Sequence, residues 1–237
     1  MIAWQAGPAD VYCPLMPGSS SNQEVEIKLC VADVAAMRRC LKQLRARESC
    51  PRTYESNTLY DTPKKDLARR RQLIRIRIER PSWHGGGKDR LGAVKSTLTY
   101  KGPFQSLRCA RTTLGKLRKA GQYKIREEIE VAVADGEQMR LILIALGLRP
   151  SFCYEKFRTT YTLPGIRGLK VEFDETPIGT FLELEGAPWA IDRAAKLLGY
   201  TRADYIMKTY GALWLAGCRL RGHKPGDMLF MPTKKLR

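Results

Sequence analysis

Glu24-Val25-Glu26-Ile27-Lys28 places a charge at every second position, and Val25, Ile27 and Leu29 fill the gaps. On a β-strand successive side chains point to opposite faces, so the two carboxylates and the ammonium share one face. Adjacent carboxylates repel unless a cation lies between them. A hard divalent ion such as Mg²⁺ takes such oxygen ligands readily. A strand with one solvated face reads the same way, so the rest of the chain has to decide.

The pattern recurs along the chain. Arg75 and Arg77 alternate with Ile74, Ile76 and Ile78, and Arg126, Glu128 and Glu130 alternate with Ile125, Ile129 and Val131. Lys156 and Arg158 flank Phe157, and Lys170, Glu172 and Asp174 alternate with Leu169, Val171 and Phe173. Glu183 and Glu185 flank Leu184, and Lys101 shares a face with Thr97 and Thr99. A sheet with one wet face gives such alternation too. Here, however, full charges dominate the polar faces, and acids and bases cluster on different strands. If the strands close into a barrel with apolar faces outward under helices, the charges line the interior. Buried charges are tolerated only when paired, hydrogen-bonded or bound to an ion or ligand. Such an interior suits a polyphosphate anion with a divalent metal.

Turn and cap signals place the elements. Strands are expected near 23–30, 53–60, 73–79, 93–101, 123–133, 152–162, 169–174 and 180–185. Helices are expected from the cap Asp33 to about Arg45, as a short basic helix after Asp61-Thr62-Pro63, over 136–146, 188–198 and 204–215. His84-Gly85-Gly86-Gly87-Lys88-Asp89 matches neither common phosphate-binding glycine motif and reads as a hairpin connector. Residues 104–120 are basic and poorly patterned. Repeated short strands favour a largely antiparallel sheet or barrel.

The chain has 237 residues, and 42 Lys/Arg against 24 Asp/Glu give a net charge of +18. That is long enough for a sizeable core, and the field attracts anions such as phosphorylated metabolites, polyphosphate or nucleic acid. Seven scattered cysteines without a CxxC pair, and only two histidines, argue against a disulfide framework or a structural zinc site. A reducing cytoplasm is the expected location. No secretory signal and no membrane-spanning apolar run is visible.

Taken in order, these elements resemble the CYTH family, also called triphosphate tunnel metalloenzymes. That family includes class IV adenylyl cyclases, thiamine triphosphatases and inorganic triphosphatases. The resemblance runs from about Gln23 to Trp214. Its carriers are the ExExK signature at Glu24–Lys28, Leu73-Ile74-Arg75-Ile76-Arg77, Thr99-Tyr100-Lys101-Gly102-Pro103, Arg126-Glu127-Glu128-Ile129-Glu130, Glu155-Lys156-Phe157-Arg158, Asp174 and Glu183-Leu184-Glu185. Asp204-Tyr205-Ile206 with Lys208 is similar to the family's Ser-Tyr segment, with Asp in place of Ser.

The resemblance implies an α+β fold, mainly antiparallel β: a closed eight-stranded tunnel with helices packed outside. It implies a tunnel domain over 22–215; the Gly/Pro/Ser-rich stretch 1–21 reads as a flexible leader and the Lys/Arg-rich 216–237 as a basic tail. The resemblance makes Glu24, Glu26, Asp174, Glu183 and Glu185 metal-site carboxylates for Mg²⁺ or Mn²⁺. Lys28, Arg75, Arg77, Lys101, Arg126, Lys156, Arg158 and Lys170 become triphosphate contacts. Lys28, Glu128 and Glu130 are the expected catalytic residues, the two glutamates orienting bases, positioning water or holding a second metal. The expected partner is a small triphosphate or nucleotide, with no membrane. The expected function is a divalent-metal-dependent phosphohydrolase in which water attacks the terminal phosphorus of inorganic tripolyphosphate, thiamine triphosphate or a nucleoside triphosphate. The alternative is a class IV adenylyl cyclase, with attack by the ribose hydroxyl of ATP, and the second alternative is a polyphosphate- or nucleotide-binding module without chemistry. The basic tail is read as solvated, with RNA or polyphosphate contact as its alternative. Oligomeric state is not legible.

Overall fold

The computed structural model describes residues 22–81, 93–104 and 123–231. The expected leader, the glycine-rich connector and nearly all of 104–120 lie outside them, as does the end of the tail. Eight antiparallel strands close into a barrel in the order β1-β5-β4-β3-β2-β6-β7-β8. The strands are β1 (Gln23–Val31), β2 (Arg47–Asp61), β3 (Leu73–Pro81), β4 (Lys95–Lys101), β5 (Lys124–Val133), β6 (Arg149–Thr162), β7 (Lys170–Thr176) and β8 (Gly179–Glu185). β1 closes the ring by pairing with β5 on one side (Glu24 opposite Arg126) and with β8 on the other (Lys28 opposite Glu183).

Alternation decides what faces where. On β1, β7 and β8 the outward residues Ile27, Leu29, Val171, Phe173, Leu182 and Leu184 are buried in one apolar cluster. Helices α1 (Val34–Gln43) and α4 (Pro188–Leu197) cover it, with Met37 and Leu41 from one and Ala190, Ile191, Ala194 and Ala195 from the other. The alanines let α4 approach the sheet closely. Each fully buried aliphatic side chain stabilises the fold by about 1.5–3 kcal/mol, enough in sum to hold this wall against a charged interior. Helix α3 (Gly136–Ala145) lies over β3 and β4, and its Leu143 clusters with Tyr60 of β2 and Ile76 of β3, with Leu98 of β4 packed against them. Asp33 and Asp135 cap α1 and α3, each accepting from backbone N–H groups of the first turn.

Three elements differ from expectation. β2 starts at Arg47, not Thr53, because register shifts around Cys50–Thr53 carry the strand past Pro51, which lacks an N–H for a regular ladder. The helix expected over 204–215 is instead a 3-10 turn, Arg202–Asp204, followed by α5 (Tyr210–Leu220). Between them Ile206 exchanges backbone hydrogen bonds with Lys28 at 3.1 and 2.9 Å, and Thr209 caps α5 by accepting from Ala212 N. The domain boundary expected at 215 therefore falls inside α5. The expected solvated tail also begins later, because Met228 is fully buried and bonds to the backbone of Cys153 and Glu155 on β6. Among the described residues no helix is long and apolar enough to cross a membrane.

Candidate active site

The inward faces meet in a cavity of about 220 Å³. Nine Lys/Arg and seven Glu line it. Every Lys and Arg singled out from the sequence as a phosphate contact is among them, as are Glu24, Glu26, Glu128, Glu130, Glu183 and Glu185. Strand parity brings most of them together: Glu24, Glu26 and Lys28, Arg75 and Arg77, Arg126, Glu128 and Glu130, Lys156 and Arg158, and Glu183 and Glu185 are spaced by two along their strands and so point inward together.

The charges are knitted into one network. Lys28 bonds Glu183 at 2.8 Å and Glu26 at 3.3 Å. Both carboxylates hold its ammonium above the ordinary lysine range, although burial pulls the other way. Lys124 also contacts Glu26. Lys101 bridges Glu24 at 2.6 Å and Glu128 at 2.9 Å. Arg158 grips Asp174 with two forked bonds of 2.6 Å and also reaches Glu172 and Glu183. Lys156 bonds Asp174 at 3.0 Å. Arg75 reaches Glu130 and Thr99, both at 3.2 Å, and Tyr154 at 3.3 Å.

Several placements refine the expected roles. Asp174 is fully buried behind the lining, committed to Arg158, Lys156 and the hydroxyl of Tyr210, which donates at 2.8 Å. Arg126 gives its donors to carbonyls, at 2.8 Å to Gly102 and 3.0 Å to Arg71, and so ties three segments together. Lys170 sits on an exposed rim, bonded to Glu185 at 2.9 Å, with its side chain 57% exposed.

Sequence reasoning missed four inward residues. Glu55, on β2, is buried among Arg77, Lys156 and Arg158. Lys124 lies two residues before Arg126, so parity alone would have found it. Tyr154 likewise precedes Lys156 by two. Tyr210 comes from α5, where no strand period applies. Its ring lies 5.1 Å beneath Lys28 Nζ and 5.7 Å from Lys156 Nζ, and it contributes to the lining with Thr209 and Gly211.

Burial tunes two carboxyls toward neutrality. Burial, aided by the Glu24 charge, pushes Glu128 up to about 7 against the pull of Lys101. Burial and the Glu183 charge push Glu172 up to about 8 against the pull of Arg158. In contrast, Arg77, Arg75 and the Thr99 hydroxyl hold Glu130 below its usual range despite burial. Near neutral pH the lining is therefore cationic on balance. Arg75 Nε is buried with no hydrogen-bond acceptor, a donor available to an incoming anion.

The donor set also fits a hard divalent cation. Register places Glu26 opposite Glu185 and Glu172 opposite Glu183 on adjacent strands, all carboxylate oxygens. Among the described residues no three such groups are already gathered for a metal, since each is held by Lys or Arg. An anion that drew those cations away would free the oxygens.

A CYTH domain family model matches residues 22–207. No curated protein matches the chain. Among solved structures, a Pyrococcus horikoshii protein is 22% identical over 82% of this chain and 99% of its own, with a TM-score of 0.59. A candidate adenylate cyclase from Vibrio parahaemolyticus is 18% identical over 79% of this chain and 94% of its own, with a TM-score of 0.58. A Hippeastrum protein, described as a candidate adenylyl cyclase with a dominant triphosphatase activity, is 17% identical over 89% of this chain and 99% of its own (TM-score 0.50). At these identities the likeness to each structure is one of fold.

Proposed function

The chain belongs to the CYTH domain family, and from that premise we propose that it is a divalent-metal-dependent triphosphatase. The supporting observation is the cavity itself, a space inside the barrel lined by nine cations against seven carboxylates. A solvated module for a loose polyanion has no need to bury Glu26 and Glu183 among lysines and arginines.

Phosphoryl transfer is governed by positioning and electrostatic stabilisation rather than covalent chemistry. Arg75 and Arg158 present planar forks to phosphate oxygens, while Lys28, Lys101 and Lys156 act as point charges. Arg77 donates to the Asn57 side-chain oxygen at 3.3 Å and lies 3.6 Å from the Glu55 carboxylate, which together hold the guanidinium in place. As these cations turn to phosphate, Glu24, Glu26, Glu183 and Glu185 become free to hold Mg²⁺ or Mn²⁺. Bound there, the ion would supply charge neutralisation on the phosphate oxygens. Glu128, tuned to about 7, is suited to take the proton of an attacking water. Glu130 anchors Arg75 and the Thr99 hydroxyl beside it. Buried Lys28 stays protonated and stabilises negative charge on the departing phosphate.

The test is product identification. The protein is incubated with Mg²⁺ or Mn²⁺ and, separately, tripolyphosphate, thiamine triphosphate and ATP. Orthophosphate release from at least one of them is expected. Cyclic AMP as the main product from ATP would overturn the reading, as would tight anion binding without turnover.

A further inference from the structure

The far half of β5 has an open edge. Its register with β1 ends at Gln23 opposite Glu127, and the last bond between them runs from Glu128 N–H to the Asn22 carbonyl. Bonded positions alternate along an antiparallel pair, so the N–H and C=O groups of Glu130 and Ala132 point to this edge. Among the described residues nothing pairs with them there. The outward face of the same stretch is bare as well: Ile129 and Val131 are 47% and 53% exposed. Across β4 stands α3, with Arg140 and Glu137 on its β2 side beside Tyr60. Ile142 and Leu146 occupy the opposite flank, four residues apart, and are 51% and 73% exposed. Together the two faces form an apolar groove that ends at the open edge. Free backbone groups on a strand edge are a template for another strand, and contiguous exposed apolar surface marks an interaction site.

Residues 1–21 match this surface in chemistry. All 42 Lys/Arg of the chain lie after them, and their one charged side chain is Asp10. They hold Ile2, Trp4, Val11, Tyr12, Leu15 and Met16, whereas segments that stay solvated carry net charge and few such residues. Direction and length fit too. Continued back from Asn22, the β1 register sets Ser20 opposite Glu130 and Gly18 opposite Ala132. Pro17 then falls opposite Val133, a non-bonded position where its missing N–H forfeits no bond. The α3 flank from Gln138 to Leu146 spans about 12 Å, within reach of the six residues Val11–Met16 in extended form. A second copy of the chain fits worse, because net charges of +18 repel and β5 paired with itself about Glu130 sets like charges side by side.

We propose that residues 1–21 dock on the barrel of their own chain, Gly18–Ser21 completing the β5 edge and Val11–Met16 filling the groove beside α3. The pairing fixes the backbone of Glu130, whose side chain lines the cavity and holds Arg75 at 3.2 Å. The leader thereby finishes one wall of the cavity, whatever reaction the cavity performs.

Amide hydrogen exchange of the full chain, read residue by residue, is the test. In wild type Glu130 and Ala132 should exchange about a hundredfold or more slower than a free peptide. The double variant Leu15→Asp/Met16→Asp and, separately, Ile142→Asp should speed both amides by about tenfold or more. Ile129 and Val131, whose amides face β4, should stay as slow as in wild type and so report an intact fold. Free-peptide rates at Glu130 and Ala132 in wild type would overturn the proposal and leave the face to another protein. Protection indifferent to the leader variant would overturn it too. So would protection that fades on dilution while the sedimenting mass halves, which assigns the edge to a second copy.

Discussion

Glu55 is 1% exposed and faces three cations, Lys156 at 3.4 Å, Arg77 at 3.6 Å and Arg158 at 3.7 Å. Burial alone would raise its carboxyl, but those cations hold it below the usual range. Removing one member of a buried charge cluster leaves the others uncompensated, at about 3–5 kcal/mol. Glu55→Gln is therefore expected to destabilise the fold by about 3 kcal/mol, read by urea unfolding; a loss within about 0.5 kcal/mol, ordinary for surface sites, contradicts the cluster. The sequence hid this residue for a physical reason. Its strand neighbours Tyr54, Ser56 and Thr58 face outward and are not plainly apolar, so no alternation appears. Where the outward face is apolar, as beside Glu24, Arg75 or Glu183, the inward charges were legible. Which carboxylate meets which cation was not, because that depends on register.

At the scale of elements, strands announced themselves by their period of two, whereas connections were set by tertiary pairing. The segment 205–208 reads as part of a helix but serves as a partner to β1 through Ile206. The outer end of β6 gains Met228 as a neighbour for a similar reason: β7 pairs only with Phe157–Tyr161, leaving earlier backbone groups of β6 to be satisfied. Gly186 closes β8 at a point where the fold requires glycine. Its φ is +153°, and an added Cβ would lie 2.8 Å from the Gly168 carbonyl oxygen. Its N–H bonds Val25 at 3.0 Å, so a backbone shift would disturb the β1 edge of the cavity. Gly186→Ala should lower stability by about 1–3 kcal/mol, measured by thermal unfolding. An unchanged midpoint would show that the turn relaxes freely.

For the molecule as a whole, the buried carboxylates of the barrel interior set the response to pH. Glu26, Glu55 and Glu183 lie well below the ordinary carboxylate range in the fold, held there by lysines and arginines against the effect of burial. Their contribution is complete above the unfolded value and is lost as pH falls below it. Glu128 and Glu172 act in the opposite sense. Raised to about 7 and about 8, they keep protons that the unfolded chain has released, so stability declines as pH climbs toward those values. Stability without ligand should peak near about pH 5. A urea midpoint that rises steadily from there to about pH 8 contradicts this balance.

The central claim is that the charged cavity is the triphosphate site, and calorimetric titration with a non-hydrolysable triphosphate tests it most directly. Wild type should bind one anion per chain. Arg75→Gln should weaken binding about tenfold or more, roughly 1.4 kcal/mol, because it removes a buried fork and its free donor. Arg219→Gln, an exposed change on α5, should leave the affinity nearly unaltered. Equal affinities for Arg75→Gln and wild type, or equal weakening by both substitutions, would place the anion outside the barrel and contradict the claim.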